Sequence, residues 1–103
     1  MKLSNLLANI EYTVINDGNP EITDIIYDSR KVTDGTAFVC LKGYTSDGHK
    51  YAQSAVEKGA AALIISDDLS FDVPKNVAVI KVENTRKALA YISAEFLADP
   101  PKN

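Results

Sequence analysis

Apolar positions along the chain recur with a helical period in three segments. In the first, the spacings are three, one and three residues, at Leu3, Leu6, Leu7 and Ile10. The second segment follows "TSDG", where Asp47 can cap the first turn and Gly59 can end the helix. The third is capped by Asn84 or Thr85, and its inner face consists of Ala88, Leu89, Ile92 and Phe96. These patterns predict three amphipathic helices.

Four segments between the predicted helices are rich in apolar and β-branched residues, which is typical of strands. Their sequences are "ITDIIYDS", "TAFVCLK", "AAALIIS" and "VAVIKV", and we expect the first to end near Ser29. The last two are continuous apolar runs, and such strands are covered by helices on both faces. The order α, β, β, α, β, β, α therefore predicts an α/β fold, a three-layer domain with a mixed, partly parallel sheet flanked by helices.

The composition excludes several classes of protein. The chain has 103 residues, 46% of them hydrophobic and 24% charged, as in one folded domain. A net charge of -3 argues against nucleic acid or an anionic membrane surface as a partner. The apolar runs are too short to span a membrane, no signal peptide is visible, and one cysteine forms no internal disulfide. We therefore expect a cytoplasmic monomer.

Common catalytic and cofactor motifs are absent from the sequence. It contains neither G-x-x-x-x-G-K-[ST] nor G-x-G-x-x-G, the two glycine-rich nucleotide signatures. Cys40 is predicted to be a buried structural thiol, His49 to have a surface or capping role, and the two to form no metal site. Asp67 and Asp68 follow a predicted strand and are expected to lie in a solvated turn. No catalytic residue is predicted.

Two polar clusters follow neighbouring predicted strands. One is "YDSR", and the other is "GYTSDGH". In open α/β sheets, ligands bind where loops from adjacent strand ends converge. Hydroxyl groups and backbone amides suit a phosphate or a uracil edge, and a tyrosine ring can cover a flat base. The side chains expected to meet there are those of Ser29, Tyr44, Thr45 and Ser46.

A local interpretation of the same residues is also open. Asp28 and Arg30 can pair with each other, "TDGT" and "TSDG" are good turn sequences, and Asp47 can serve as a helix cap alone. The residues by themselves therefore leave two alternatives, turn chemistry or two walls of a binding site.

The series "DSRKVTDGTAFVCLKGYTSDGHKYAQSAVEKGAAALI" resembles the N-terminal domain of the Mur ligases. Within that family, "KGYTSDGHKY" together with "VENTRKALAYISAEFLADPPK" is most similar to the UDP-N-acetylmuramoyl-tripeptide synthetases. Two alternatives remain. One is the sibling ligase group that adds D-Ala-D-Ala, which shares the Asp-x-Arg and Asp-Gly/Ala-His elements. The other is a free-standing, non-catalytic interaction module that keeps the fold without a ligand.

The resemblance implies a substrate-binding domain of an ATP-dependent amide ligase in peptidoglycan synthesis. That enzyme adds the third amino acid (meso-diaminopimelate, L-lysine or another) to UDP-N-acetylmuramoyl-L-alanyl-D-glutamate. Residues 1–99 would be the UDP-binding domain and 100–103 the start of a linker. ATP and Mg²⁺ would bind a central domain outside this chain, and the amino acid a third domain, so no cofactor is implied for the chain itself.

The resemblance also implies which positions contact the UDP moiety. The implied contacts are Ser29, Tyr27, Tyr44, Thr45 and Ser46. The implied supporting residues are Asp28, Arg30, Gly43, Asp47 and His49.

Overall fold

The computed structural model describes residues 1–43 and 47–98. Three α-helices are formed: α1 (Leu3–Leu6), α2 (Ala52–Glu57) and α3 (Thr85–Ala98). The strands are β1 (Thr13–Asn16), β2 (Asp24–Ile26), β3 (Thr36–Val39), β4 (Ala62–Ile65) and β5 (Ala78–Lys81). Short 3₁₀ helices cover Ser29–Lys31 and Gly48–Tyr51. The predicted linker, residues 100–103, lies outside the described residues.

The strands form one five-stranded mixed sheet in the order β1-β5-β4-β3-β2. Strands β2 to β5 run parallel, whereas β1 is antiparallel to β5 at one edge. One row of the register runs from Ile26 through Phe38 and Leu63 to Val79. The four parallel strands therefore end on the same side of the sheet, which we call the carboxyl edge.

Each face of the sheet carries its own hydrophobic core, because side chains alternate between the faces along a strand. The core that α1 and α3 form with the sheet includes Leu3, Leu6, Ala37, Val39, Ile64, Ile80, Ala88 and Ile92. The core that α2 forms with the opposite face of the sheet includes Val32, Phe38, Cys40, Ala52, Ala55, Leu63, Ile65 and Val79. The prediction of three layers is confirmed, and so is the prediction that Cys40 is buried.

Two predictions about strands are wrong. Strand β1 was not predicted, because it is an exposed edge strand without an alternating pattern. Strand β2 ends at Ile26 rather than near Ser29, because the Asp28 carboxylate caps a 3₁₀ helix that begins at Ser29.

The predicted boundaries of the second and third helices are mostly confirmed, whereas α1 ends at Leu6 and does not continue to Ile10. Asn84, rather than Thr85, caps α3, since its Oδ1 accepts a hydrogen bond of 3.0 Å from the Lys87 N–H. Gly59 follows α2 with φ +105°, the left-handed conformation that ends many helices. No helix among residues 1–43 and 47–98 is long and apolar enough to cross a membrane.

Candidate functional site at the carboxyl edge

The ends of β2 and β3 lie side by side, as expected for the two polar clusters. The strands are parallel and Ile26 pairs with Phe38, so both following segments emerge at the carboxyl edge. Ser29 is half-buried after β2, and Gly43 is exposed after β3. The predicted contacts outside the described residues are Tyr44, Thr45 and Ser46.

Asp28 and Arg30 are held together locally. Asp28 Oδ1 accepts hydrogen bonds of 3.0 Å from the backbone N–H and from Nε of Arg30, and Oδ2 accepts one of 2.9 Å from Nη2. The side-chain hydrogen bond from Arg30, followed by its backbone N–H, lowers the pKa of Asp28 to about 2. The local-pairing alternative is therefore confirmed for these two residues, and their contribution to UDP binding stays a prediction.

The lowered pKa of Asp28 gives a direct test of this pair. We expect Arg30→Gln to raise the Asp28 pKa part of the way from about 2 toward the ordinary 3.8, because the backbone N–H at position 30 still donates. Carbon-13 NMR of the Asp28 carboxyl measures the change. A depressed pKa stabilises the fold above the ordinary value, and that contribution is lost as pH falls through about 2. Lys31→Gln is the control and should shift the pKa less, since Lys31 acts only through charge at a distance. An equal response to both substitutions would contradict the assignment.

Ser29 and Tyr27 are accessible at the carboxyl edge. The Ser29 carbonyl accepts a hydrogen bond of 3.0 Å from Nζ of Lys58, which fixes the turn to the end of α2. Among the described residues, the Ser29 hydroxyl has no hydrogen-bonding partner, and Tyr27 is 62% exposed. Both side chains can therefore be reached by a ligand.

Residues 41–43 and 47–49 form a narrow loop neck after β3. An isolated antiparallel bridge joins its two sides at Lys42 and Asp47. A hydrogen bond of 2.6 Å joins them again, from the Gly48 N–H to the carbonyl of the first neck residue. The Asp-Gly-His motif thus supplies the closing side of the loop neck.

Asp47 caps a helix, as predicted. Its Oδ1 accepts a hydrogen bond of 3.0 Å from the His49 N–H, at the start of the 3₁₀ helix Gly48–Tyr51 that leads directly into α2. The same backbone bond, assisted by the His49 side chain, lowers the pKa of Asp47. The cap therefore keeps Asp47 in its charged form.

His49 links the loop neck to the end of β4. Its Nε2 accepts hydrogen bonds from the backbone N–H groups of Ser66 at 3.0 Å and Asp67 at 3.1 Å. Its Nδ1 lies 2.6 Å from Asp47 Oδ1. Because Nε2 is the acceptor, we assign the neutral tautomer with the proton on Nδ1, donated to Asp47. The predicted surface role is wrong, because the ring is only 8% exposed; the ring does cap two backbone N–H groups, but at the end of β4.

The turn after β4 lies next to the loop neck. Asp67 pairs with Lys42 of the neck, and Asp68 pairs with Lys81 at 2.8 Å. Arg86, at the start of α3, donates a hydrogen bond of 3.2 Å to the Lys42 carbonyl. The predicted exposed turn is confirmed, and each of its carboxylates has a lysine partner.

Two clefts lie near this edge. One of about 300 Å³ borders the loop neck and is lined by Lys42, Ser66, Asp67, Glu83, Asn84, Thr85 and Arg86. A larger one of about 610 Å³ lies between the α1–β1 connection and α3; of the predicted UDP contacts that the structure describes, neither Ser29 nor Tyr27 lines either cleft. The smaller cleft is the more relevant, because it is continuous with the neck that the sequence motifs build.

Three potential metal ligands also meet here. One ligand atom each from Asp47, His49 and Asp67 lies within 4.8 Å of the others. Both imidazole nitrogens are already engaged in hydrogen bonds, so the ring offers no free lone pair in this arrangement. The cluster is accordingly best described as a hydrogen-bonded link, and the expectation of no metal site stays a prediction.

Sequence reasoning missed the residues that fasten the site from outside the two clusters. Lys58 and Arg86 each donate a side-chain hydrogen bond to a backbone carbonyl of the site. Ser66 donates its backbone N–H to the His49 ring. Contacts of this kind leave no pattern in the sequence, because the partners are far apart along the chain.

A sequence model described as "Mur ligase family, catalytic domain" matches residues 21–97. The chain belongs to the Mur ligase family. It is similar to the UDP-N-acetylmuramoyl-L-alanyl-D-glutamate--2,6-diaminopimelate ligases of Clostridium botulinum and Bacillus licheniformis. The identities are 42% and 45% over 104 residues, covering 100% and 99% of this chain. The chain spans only 22% and 20% of the length of those two ligases.

Solved structures of Mur ligases share the fold. MurF from Acinetobacter baumannii is 28% identical with a TM-score of 0.75, covering 89% of this chain and 20% of that protein. MurF from Thermotoga maritima, solved in complex with ADP, is 28% identical with a TM-score of 0.62, covering 74% of this chain and 17% of that one. The predicted family and fold class are both confirmed.

Proposed function

We propose that residues 1–99 form the UDP-binding N-terminal domain of an ATP-dependent amide ligase, and that 100–103 begin the linker to the next domain. The full-length enzyme would join 2,6-diaminopimelate to UDP-N-acetylmuramoyl-L-alanyl-D-glutamate, the reaction in the names of the two related ligases. One observation carries the proposal: parallel strands β2 and β3 bring Ser29 and the loop neck to the same edge.

Each proposed contact has a chemical role. The Ser29 hydroxyl would hydrogen-bond the UDP moiety, as would the hydroxyls of Thr45 and Ser46. The rings of Tyr27 and Tyr44 are suited to cover the flat uracil. Gly43 and the other supporting residues would shape the two walls rather than contact the base.

The chain would contribute position rather than bond chemistry. Holding the UDP end of a long substrate fixes its distant carboxylate within reach of a neighbouring domain, which reduces the entropic barrier to reaction. ATP and Mg²⁺ would bind in that neighbouring domain, and the incoming amino acid in a third. We place the protein in the cytoplasm and expect this domain to be monomeric, without a nucleic-acid or membrane partner.

Calorimetric titration of the 103-residue chain tests the proposal. UDP-N-acetylglucosamine should bind with a dissociation constant between micromolar and millimolar. This range corresponds to a favourable binding free energy of about 4 to 8 kcal/mol. The binding is weak because the peptide end of the natural substrate has no partner domain here. ATP should not bind specifically. Equal affinity for the two nucleotides would leave only a general anion site, and no binding of either would favour the interaction module.

Ser29 provides the sharpest test of an individual contact. Ser29→Ala should reduce the affinity for UDP-N-acetylglucosamine by about 1.5 to 3 kcal/mol, the contribution of a hydrogen bond to a charged group. The free energy of unfolding should change little, because the hydroxyl has no partner among the described residues. Titration and thermal melting of the variant measure both quantities.

Cys40→Ser is the matched control and should show the opposite pattern. Cys40 is fully buried in the core under α2, where burial and, to a lesser extent, the Asp47 charge raise its pKa to about 12. A serine hydroxyl placed there should lower the free energy of unfolding by about 1 to 3 kcal/mol and leave affinity in the folded fraction unchanged. If Ser29→Ala destabilised the fold yet bound normally, Ser29 would belong to turn chemistry.

The sibling ligase that adds D-Ala-D-Ala is the second candidate. It is favoured by the structural similarity to MurF from Acinetobacter baumannii, at a TM-score of 0.75. The higher sequence identity to 2,6-diaminopimelate ligases favours the first candidate. Assaying the full-length enzyme with each acceptor, 2,6-diaminopimelate or D-Ala-D-Ala, separates the two.

A further inference from the structure

The imidazole of His49 fastens the loop neck to a different strand. On one side it donates from Nδ1 to Asp47, which is part of the neck. On the other side its Nε2 accepts from Ser66 and Asp67, at the end of β4. The ring is almost completely buried, so water does not readily replace these bonds. The ring therefore holds the closing side of the neck against β4, while the Lys42–Asp67 pair and the hydrogen bond from Arg86 to the Lys42 carbonyl hold the opposite side.

Protonation is incompatible with this arrangement. A second proton would sit on Nε2 and face two backbone N–H groups, which are also donors. The bonds to β4 would then be lost, whereas the contact with Asp47 would be kept or strengthened. The link is therefore made only by the neutral ring.

We propose that His49 is a positioning residue for the uridine site, and that its neutral form is needed to hold the loop neck against β4 in the binding geometry. This inference rests on the proposed UDP-binding function. It predicts that the uridine ligand binds more weakly when the ring is protonated than when it is neutral.

Two carboxylates lie next to the ring, and a lysine and a cysteine lie close to those carboxylates. The carboxylates of Asp47 and Asp67 lie next to the ring, and the ammonium group of Lys42 is paired with Asp67. Cys40, at the end of β3, stays a neutral thiol because burial raises its pKa to about 12. The carboxylates can attract a charged ring, but neither can restore an acceptor for the two N–H groups.

The first experiment is a pH series on the unmodified chain with UDP-N-acetylglucosamine as the probe. Its diphosphate keeps a constant charge, unlike the terminal phosphate of UDP, which titrates near about pH 6. The affinity should fall roughly tenfold from about pH 8 to about pH 5. Because the sequence contains one histidine, nitrogen-15 shifts of the imidazole report His49 alone. They should show Nδ1 protonated and Nε2 unprotonated at the higher pH.

Two substitutions separate the two sides of the link. His49→Asn keeps a donor near Asp47 but is too short to reach β4, so affinity should fall roughly tenfold, about 1.4 kcal/mol. His49→Gln can place an oxygen where Nε2 lies, so affinity should stay within about threefold of the original. Neither variant should retain the pH dependence. Asp68→Asn, in the same turn but paired with Lys81, is the control and should bind normally with the original pH profile.

Several outcomes would overturn the inference. They are a flat pH profile, a proton on Nε2, or normal binding by His49→Asn. If His49→Asn does not fold, the pH series and the nitrogen shifts still decide. If the unmodified chain does not bind the probe at about pH 8, the proposed function and the binding role fail together. Amide exchange of Ser66 and Asp67 then tests the link alone: it should accelerate in His49→Asn, and unchanged protection would refute the link as well.

Discussion

Gly48→Ala is expected to open the loop neck and to weaken both the fold and UDP binding. A Cβ at this position would lie 2.7 Å from the Leu41 nitrogen and 2.9 Å from the Leu41 oxygen, against backbone that cannot rotate away. The substitution therefore breaks the hydrogen bond from the residue 48 N–H to Leu41 and forces the two sides apart. We expect a loss of about 3 kcal/mol in the free energy of unfolding. Affinity for UDP-N-acetylglucosamine should fall more than roughly tenfold.

Thermal melting and titration of the same preparation measure the two effects of Gly48→Ala. Lys50→Ala is the control, because Lys50 lies in the same 3₁₀ helix and its ammonium group only approaches the Tyr51 ring, at 5.1 Å. That variant should resemble the original chain in both measurements. Normal binding by Gly48→Ala would show that the uridine site does not depend on the closed neck.

Gly59→Ala is expected to cause the largest loss of stability without touching the site. Gly59 has φ +105°, which an alanine adopts only with strain of about 1 to 3 kcal/mol. Its Cβ would also overlap the Asp34 carboxylate and lie 2.9 Å from the Asp34 Cα. Crowding of this kind typically lowers the free energy of unfolding by about 1 to 3 kcal/mol in addition to the backbone strain. We expect the free energy of unfolding to fall by about 4 kcal/mol in a denaturant titration.

Gly18→Ala separates strain from crowding. Gly18 also has a positive φ, +153°, but its Cβ would meet only the Ala78 Cβ and Cα, at 3.5 Å and 4.0 Å. The loss there should be clearly smaller than at Gly59. Equal losses at the two glycines would mean that contact with Asp34 contributes nothing.

The sequence predicts best those parts of the fold that are decided by burial. The continuous apolar runs of β4 and β5 correctly indicated strands covered on both faces, because almost every side chain in them meets a core. Strand β1 could not be predicted in this way. Its residues Val14 and Ile15 are about half exposed, and the strand is defined by its pairing with β5 far along the chain.

The sequence predicted the edge of the sheet at which the candidate site lies, but not the hydrogen bonds that hold the site together. Polar residues after two apolar strands correctly indicated one edge, because parallel neighbours end together. The role of His49 could not be inferred, since its partners at the end of β4 are backbone N–H groups, which every residue except proline carries. The capping bonds of Asp28 and Asp47 were foreseeable, because they reach only two residues ahead.

The antiparallel position of β1 also determines the order in which the chain can fold. Strands β3 and β4 with the intervening α2 form a unit whose contacts are close in sequence, and such contacts form early. Thr13 pairs with Lys81, and α1 packs on α3, so these two contacts of the N-terminal segment require a long loop to close, whereas its backbone hydrogen bonds to Pro20 and Ile22 are much closer in sequence. During synthesis α1 and β1 thus leave the ribosome well before the elements on which they pack. Until α3 has emerged, Leu3 and Leu6 lack part of their apolar cover, and a chaperone could bind them.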